Sequence, residues 1–226
     1  MTYFDLINAY LFNYTSSLYR KNQKEQGRTM VEEMNEIRNL YQDNSPIKNV
    51  LIECVCQRRG HQYCIPQKAV DEAADALLKG EFNGVNGCAP FVQNNKLFDG
   101  FADFEQLYDF VASVISGIAG IGSLTVYDTA KRIGHLFNEP IYPKQYVYLS
   151  EGAMDGATVL LGTNILNFRE PASLFEPFFG DLPSIFVEDV LCIFKGSFDS
   201  LSRVKTTDVV KHGSCIFKCE NTEKVI

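Results

Sequence analysis

Apolar positions in the first half of the chain recur at helical spacing. In residues 4–18, Phe4, Ile7, Leu11, Tyr14 and Leu18 fall three or four apart and form one face of an amphipathic helix. Arg28 to Tyr41 repeats the pattern with Val31, Met34, Ile37 and Tyr41. Ser45-Pro46 reads as a helix start, with serine as the cap and proline in the first turn, leading into IKNVLIECVCQRR. Pro66 opens an alanine-rich helix that Gly80 closes. From Glu81 to Gly100 the periodicity stops, and Gly84, Asn86, Gly87, Pro90 and the pair Asn94-Asn95 mark a loop.

The second half resumes the helical pattern at Asp103, which begins a helix running through FEQLYDFVASVI to Ser116. A glycine-punctuated turn follows, then a helix from Leu124 to Phe137. Pro140 and Pro143 bracket a connector, and QYVYL is a short extended piece. Ser150 caps EGAMDGATVLLG, in which Gly152 with Gly156 and Ala153 with Ala157 let another helix approach closely. Pro171 and Pro183 introduce two short helices, the second being SIFVEDVLCIFK. Beyond Gly196, TTDVV and SCIFKC read as β-like pieces separated by His212-Gly213. The pattern predicts a mostly α fold: a multi-helix domain over 1–195 with an irregular or β-like C-terminal tail, 196–226, packed on it. More than half of the residues are expected in helices, with at most a small sheet near the C-terminus.

Composition adds bounds. The 226 residues suffice for one domain with a substantial core. The net charge of −7 argues against a generally basic nucleic-acid binder and against a membrane-surface protein. The charge is unevenly spread, with one Arg against seven acids in 151–194 but three basic and two acidic residues in 111–150. A polyanion would therefore prefer 111–150 or the tail. No apolar run approaches the roughly 18 residues of a membrane span. The N-terminus carries Asp5 and no basic n-region, so it does not read as a signal peptide. Seven cysteines without an export signal read as reduced thiols in a bacterial or cytosolic setting, and the expected location is the cytoplasm.

The most informative segment is 107–135, LYDFVASVISGIAGIGSLTVYDTAKRIGH, a helix, a tight Gly120-Ile121-Gly122 turn and a second helix. Glycines let the backbone turn sharply and approach a ligand closely. The amides of Gly122, Ser123 and Leu124 then lie at the positive N-terminal end of the next helix, where unpaired N–H groups favour an anion. Such a site needs few lysines, which reconciles it with an acidic chain.

This segment resembles the helix-hairpin-helix motif, on Ile118, Gly120, Ile121, Gly122, Thr125 and Ala130, with Ala119 where the motif usually has proline. The helical pattern around it is similar to the helix-hairpin-helix DNA glycosylases, the 8-oxoguanine glycosylase-like group in particular. The resemblance implies a DNA-facing protein that holds backbone phosphates through Gly120, Gly122, Ser123 and Thr125, with Lys131 as a nearby cation. It further implies recognition of a modified or flipped base, a place in DNA repair, or a role in bacterial antiviral defence. Two family residues are missing by position. The nucleophilic lysine two residues after the second hairpin glycine is Leu124 here, which forms no Schiff base. No carboxylate lies between Pro140 and Ser150, where the family's catalytic aspartate would fall. The chain is then a binding module, or its chemistry uses other residues.

Those other residues are Asp128, Glu188 and Asp189. Asp128 lies four positions before Arg132, which makes either an exposed ion pair or a carboxylate beside the hairpin. Glu188-Asp189 interrupts the apolar run IFVEDVLCIF, so at least one carboxylate faces the interior or a cleft, either as an internal pair or as a general acid or base. Cys54, Cys56, His61 and Cys64 resemble metal ligands, but Cys54 and Cys56 diverge around a helix, so no metal or other cofactor is expected. Cys215 and Cys219 read as structural, and the basic cluster Arg20, Lys21, Lys24 and Arg28 as a solvated loop or a secondary phosphate contact. Two further readings stay open: a protein-interaction module in which the hairpin is only a corner and the acidic 151–194 surface meets a partner, and a divergent hydrolase using Glu188 or Asp189 on a nucleotide-like or modified-protein substrate.

Overall fold

The structure, a computed structural model, describes residues 30–56, 65–84, 87–195 and Phe198. The expected helix over 4–18, the basic cluster 20–28, His61 and Cys64, and the tail pieces beyond 198 lie outside the described residues. Among those described, the fold is mostly helical, as the periodicity predicts. Its helices are α1 (Met30–Gln42), α2 (Ile47–Val55), α3 (Gln67–Leu78), α4 (Phe104–Ile115), α5 (Ser123–Leu136), α6 (Glu151–Leu161), the short α7 (Glu176–Phe179) and α8 (Ser184–Phe194). A 3-10 turn, Ala172–Leu174, precedes α7. Tertiary contacts divide the chain into residues 23–142 and residues 143–226 with 1–22.

In the 23–142 unit, α5 is the central element, packed by α1, α2 and α4. Every residue from Thr125 to Phe137 is buried. A phenylalanine cluster closes the unit beside it, with Phe82, Phe91, Phe98, Phe101 and Phe110 in mutual contact and Phe101 stacked on Phe137 at 5.8 Å. Asp103 caps α4, accepting from the Gln106 amide at 2.9 Å, while Gln106 accepts in return from the Ala102 amide.

Two expectations are corrected in this unit. Residues 81–97 are not a plain loop: β1 (Glu81–Gly84) pairs antiparallel with β2 (Gly87–Pro90), and β3 (Val92–Gln93) with β4 (Lys96–Leu97). Asn94 and Asn95, with φ of 53° and 61°, form the left-handed two-residue turn that fits the twist of a hairpin. Ser45 does not cap α2. Asn95 does so from 48 positions away, its Oδ1 accepting from the Ile47 amide at 2.8 Å.

The 143–226 unit holds α6, α7 and α8 with the pair β5 (Tyr146–Tyr148) and β6 (Arg169–Pro171). Ser150 caps α6 as expected, accepting from the Ala153 amide, and Gly162 ends the helix at φ 66°. The small-residue stripe does what its spacing suggests. A Cβ at Gly156 would run into the Leu191 carbonyl, and one at Gly152 would meet Cys192 Sγ at 2.7 Å, so α8 lies directly against α6. Strand β5 packs on α8 in turn.

Candidate nucleic-acid interface

The hairpin is built from the end of α4 and the start of α5. After Ile115 the chain tightens through Ile118 N–H to Ile115 O (3.1 Å) and Ile121 N–H to Ile118 O (3.0 Å). Ile121 is buried and anchors the turn, whereas Gly120, Gly122 and Ser123 are exposed. Gly120 has φ 95°, a left-handed conformation that excludes most side chains, and it sits where a Cβ would press on Pro66 Cδ at 3.3 Å. Gly122 is different. As the N-cap of α5 it is extended (φ −97°, ψ 172°), and a Cβ there would meet open space.

Among the described residues, no side chain caps α5. The first intrahelical bond at this end is from the Val126 amide to the Gly122 carbonyl, and the amides of Ser123, Leu124 and Thr125 find no acceptor among the described residues. The hairpin therefore presents an uncapped helix start beneath an exposed glycine, the arrangement the sequence suggests. The side chains of Thr125 and Lys131 are not on that surface. Thr125 is buried, its carbonyl accepting from the Thr129 hydroxyl at 2.6 Å. Lys131 lies further along α5, by about 9 Å of helical rise from Thr125.

Lys131 and Asp128 form an ion pair at 2.9 Å, with side chains only 10% and 6% exposed. Lys131 Nζ also sits 5.0 Å from the centroid of the Tyr127 ring. The expected exposed pairing of Asp128 with Arg132 is corrected. Arg132 is itself buried, and its Nη1 donates to the Cys54 carbonyl at 3.0 Å, on the last turn of α2, where a cation suits the helix dipole. Asp128 is thus a buried carboxylate held by a lysine.

His135, which the sequence pattern does not single out, is fully buried on the last turn of α5. Its Nδ1 is 2.6 Å from Tyr142 Oη, and its Nε2 has no hydrogen-bond partner among the described residues. Burial, reinforced by the nearby Arg38 guanidinium, pushes its pKa down to about 3, so the ring is neutral at physiological pH. By the helical repeat it falls opposite the apolar face of Val126, Ala130, Ile133 and Phe137, so the sequence gives no signal for it.

Glu188 and Asp189 lie on α8, in the other unit from Asp128. Glu188 is buried and accepts from the Ser150 hydroxyl at 2.7 Å, which ties α8 to the start of α6, while Asp189 is half-buried. The structure does not bring the three candidate carboxylates into one unit. Cys54 and Cys56 are both buried, and burial pushes the Cys54 thiol up to about 12. Among the described residues, no group of three or more His, Cys, Asp or Glu is placed to hold a metal ion, and no helix is long and apolar enough to cross a membrane. A groove of about 450 Å³ between β1 and α4 is lined by Glu81, Asp103, Glu105 and Asp109 over Phe82 and Phe110. Its carboxylates repel a polyanion. No family model, curated protein or solved structure matches the chain.

Proposed function

We propose that this chain binds the phosphate backbone of DNA through the hairpin at Gly120–Thr125, as a helix-hairpin-helix module of glycosylase-like kind. The observation that carries this reading is the uncapped start of α5, whose first-turn amides lack acceptors among the described residues beneath the exposed Gly122. A phosphate oxygen supplies the acceptors those donors lack, and its charge suits the positive end of the helix. Binding by neutral amides also fits a chain of net charge −7.

The reading is one of binding, with base recognition as its extension and without strand cleavage. Leu124 stands where the lyase nucleophile would be, Asp128 is held by Lys131, and Glu188 is bonded to Ser150. Leu124→Lys is accordingly expected to confer no lyase activity. The direct test is amide NMR of the ¹⁵N-labelled chain titrated with a short duplex. Ser123, Leu124 and Thr125 should shift first and saturably. Shifts confined to other regions, or none, would show that the hairpin is only a packing corner.

A further inference from the structure

The stretch that follows α5 is bonded back to its own unit at four points, two of them on α5. The Ile141 amide donates to the Gly134 carbonyl at 3.1 Å, and Gly134 has no side chain to spare, since a Cβ would sit 2.5 Å from the Ile141 oxygen. Arg38 of α1 donates to the Phe137 carbonyl at 3.0 Å, and Asn138 donates to Asp99 at 2.9 Å. Tyr142, the last residue of the unit, ends the series on His135 at 2.6 Å. The next residue, Pro143, belongs to the other unit.

We propose that His135 is the pin of an acid-released latch that holds residues 137–142 against α5. The ring suits the role because it is tolerated in its site only when neutral. With either tautomer Nδ1 bonds to Tyr142 Oη, and Nε2, buried, is left without a partner among the described residues. Adding a proton makes both nitrogens donors, leaves a charged N–H without an acceptor, and places that charge near Arg38. The charged or titratable groups that face the ring from other elements are Arg38 of α1 and Tyr142 of the connector. At the same level α4 presents the apolar Leu107, against Gly134, and α2 meets α5 one turn earlier at Arg132. Among the described residues no carboxylate is bonded to the ring to accept the added charge. When the latch opens, the ring reaches water and regains an ordinary histidine pKa, so protons favour the open form. Opening frees residues 137–142 from α5.

Hydrogen exchange of the Ile141 amide in the full chain reads this directly, once corrected for the intrinsic effect of pH. Between pH 7.5 and 5.0 its opening constant should rise by about 30-fold, the value expected when opening restores a histidine pKa near 6.5. His135→Gln, which keeps a hydrogen-bonding side chain but does not titrate, should flatten that rise. Tyr142→Phe should open the segment more at pH 7.5 while leaving the pH slope in place. A pH-independent Ile141 amide in the wild-type chain would overturn the latch, as would an equal rise in His135→Gln. An Ile141 opening constant no larger than that of core amides of α5 such as Ala130 at either pH would likewise overturn it, because the segment would then open only with the whole unit.

Discussion

Gly120 and Gly122 stand two residues apart but respond to substitution in opposite ways. Gly120→Val forces a branched side chain into φ 95° and against Pro66, so it should lower stability by about 1–3 kcal/mol whatever it does to binding. Gly122→Val places its side chain in open space on an extended backbone and should change stability by less than about 1 kcal/mol. Only the second substitution separates binding from folding. A similar distinction holds for Asp128 and Lys131. Asp128→Ala takes the paired carboxylate from a buried lysine and should cost about 3–5 kcal/mol in denaturant unfolding, whereas Asp128→Leu with Lys131→Met should recover most of the loss. A single-mutant cost below about 1 kcal/mol would show that the pair is solvated.

Helix α5 shows where sequence reading succeeds and where it stops. Its limits are legible from Gly122 and the apolar spacing, and so is the glycine turn before it. The burial of its polar residues is not legible, because helical periodicity assumes one wet face and α5 is packed by α1, α2 and α4. Lys131 and Thr125, read from sequence as surface contacts, are buried for that reason. The hairpins of 81–97 escape for a different reason: strands of two to four residues are too short to show alternation. The cap on α2 comes from Asn95, a tertiary contact that local spacing cannot reveal. The α6–α8 contact, by comparison, is written in Gly152 and Gly156. Gly156→Ala should therefore lower stability by about 1–3 kcal/mol, since the new methyl meets the Leu191 backbone. For α5 as a unit, the buried neutral His135 sets the acid response. Its folded pKa lies below the unfolded value, so between about pH 6.5 and 3 the unfolded chain binds the extra proton. The stability due to the neutral ring is complete above pH 6.5 and falls by up to about 1.4 kcal/mol per pH unit as pH drops through that window. Unfolding of His135→Gln and wild type at pH 7.5 and 5.0 checks this, and the variant should lose less on acidification.

At the scale of the whole molecule, charge decides how a polyanion could approach. The groove between β1 and α4 carries four carboxylates, and residues 151–194 hold seven acids against one arginine. With Lys131 and Arg132 buried and engaged, the hairpin's attraction rests on backbone amides and the helix end. Few counterions are then displaced from the DNA, so the affinity should be modest. The logarithm of the binding constant should fall with log[salt] at a slope of only about −1 to −2, near 0.9 per phosphate. The most direct measurement is fluorescence anisotropy of a labelled duplex across a salt series, with the wild-type chain and Gly122→Val side by side. Phosphate capture by the hairpin predicts saturable binding with that shallow slope, weakened at least tenfold in Gly122→Val while the melting temperature holds. Equal affinity in the two proteins, or no saturable binding at low salt, would contradict it.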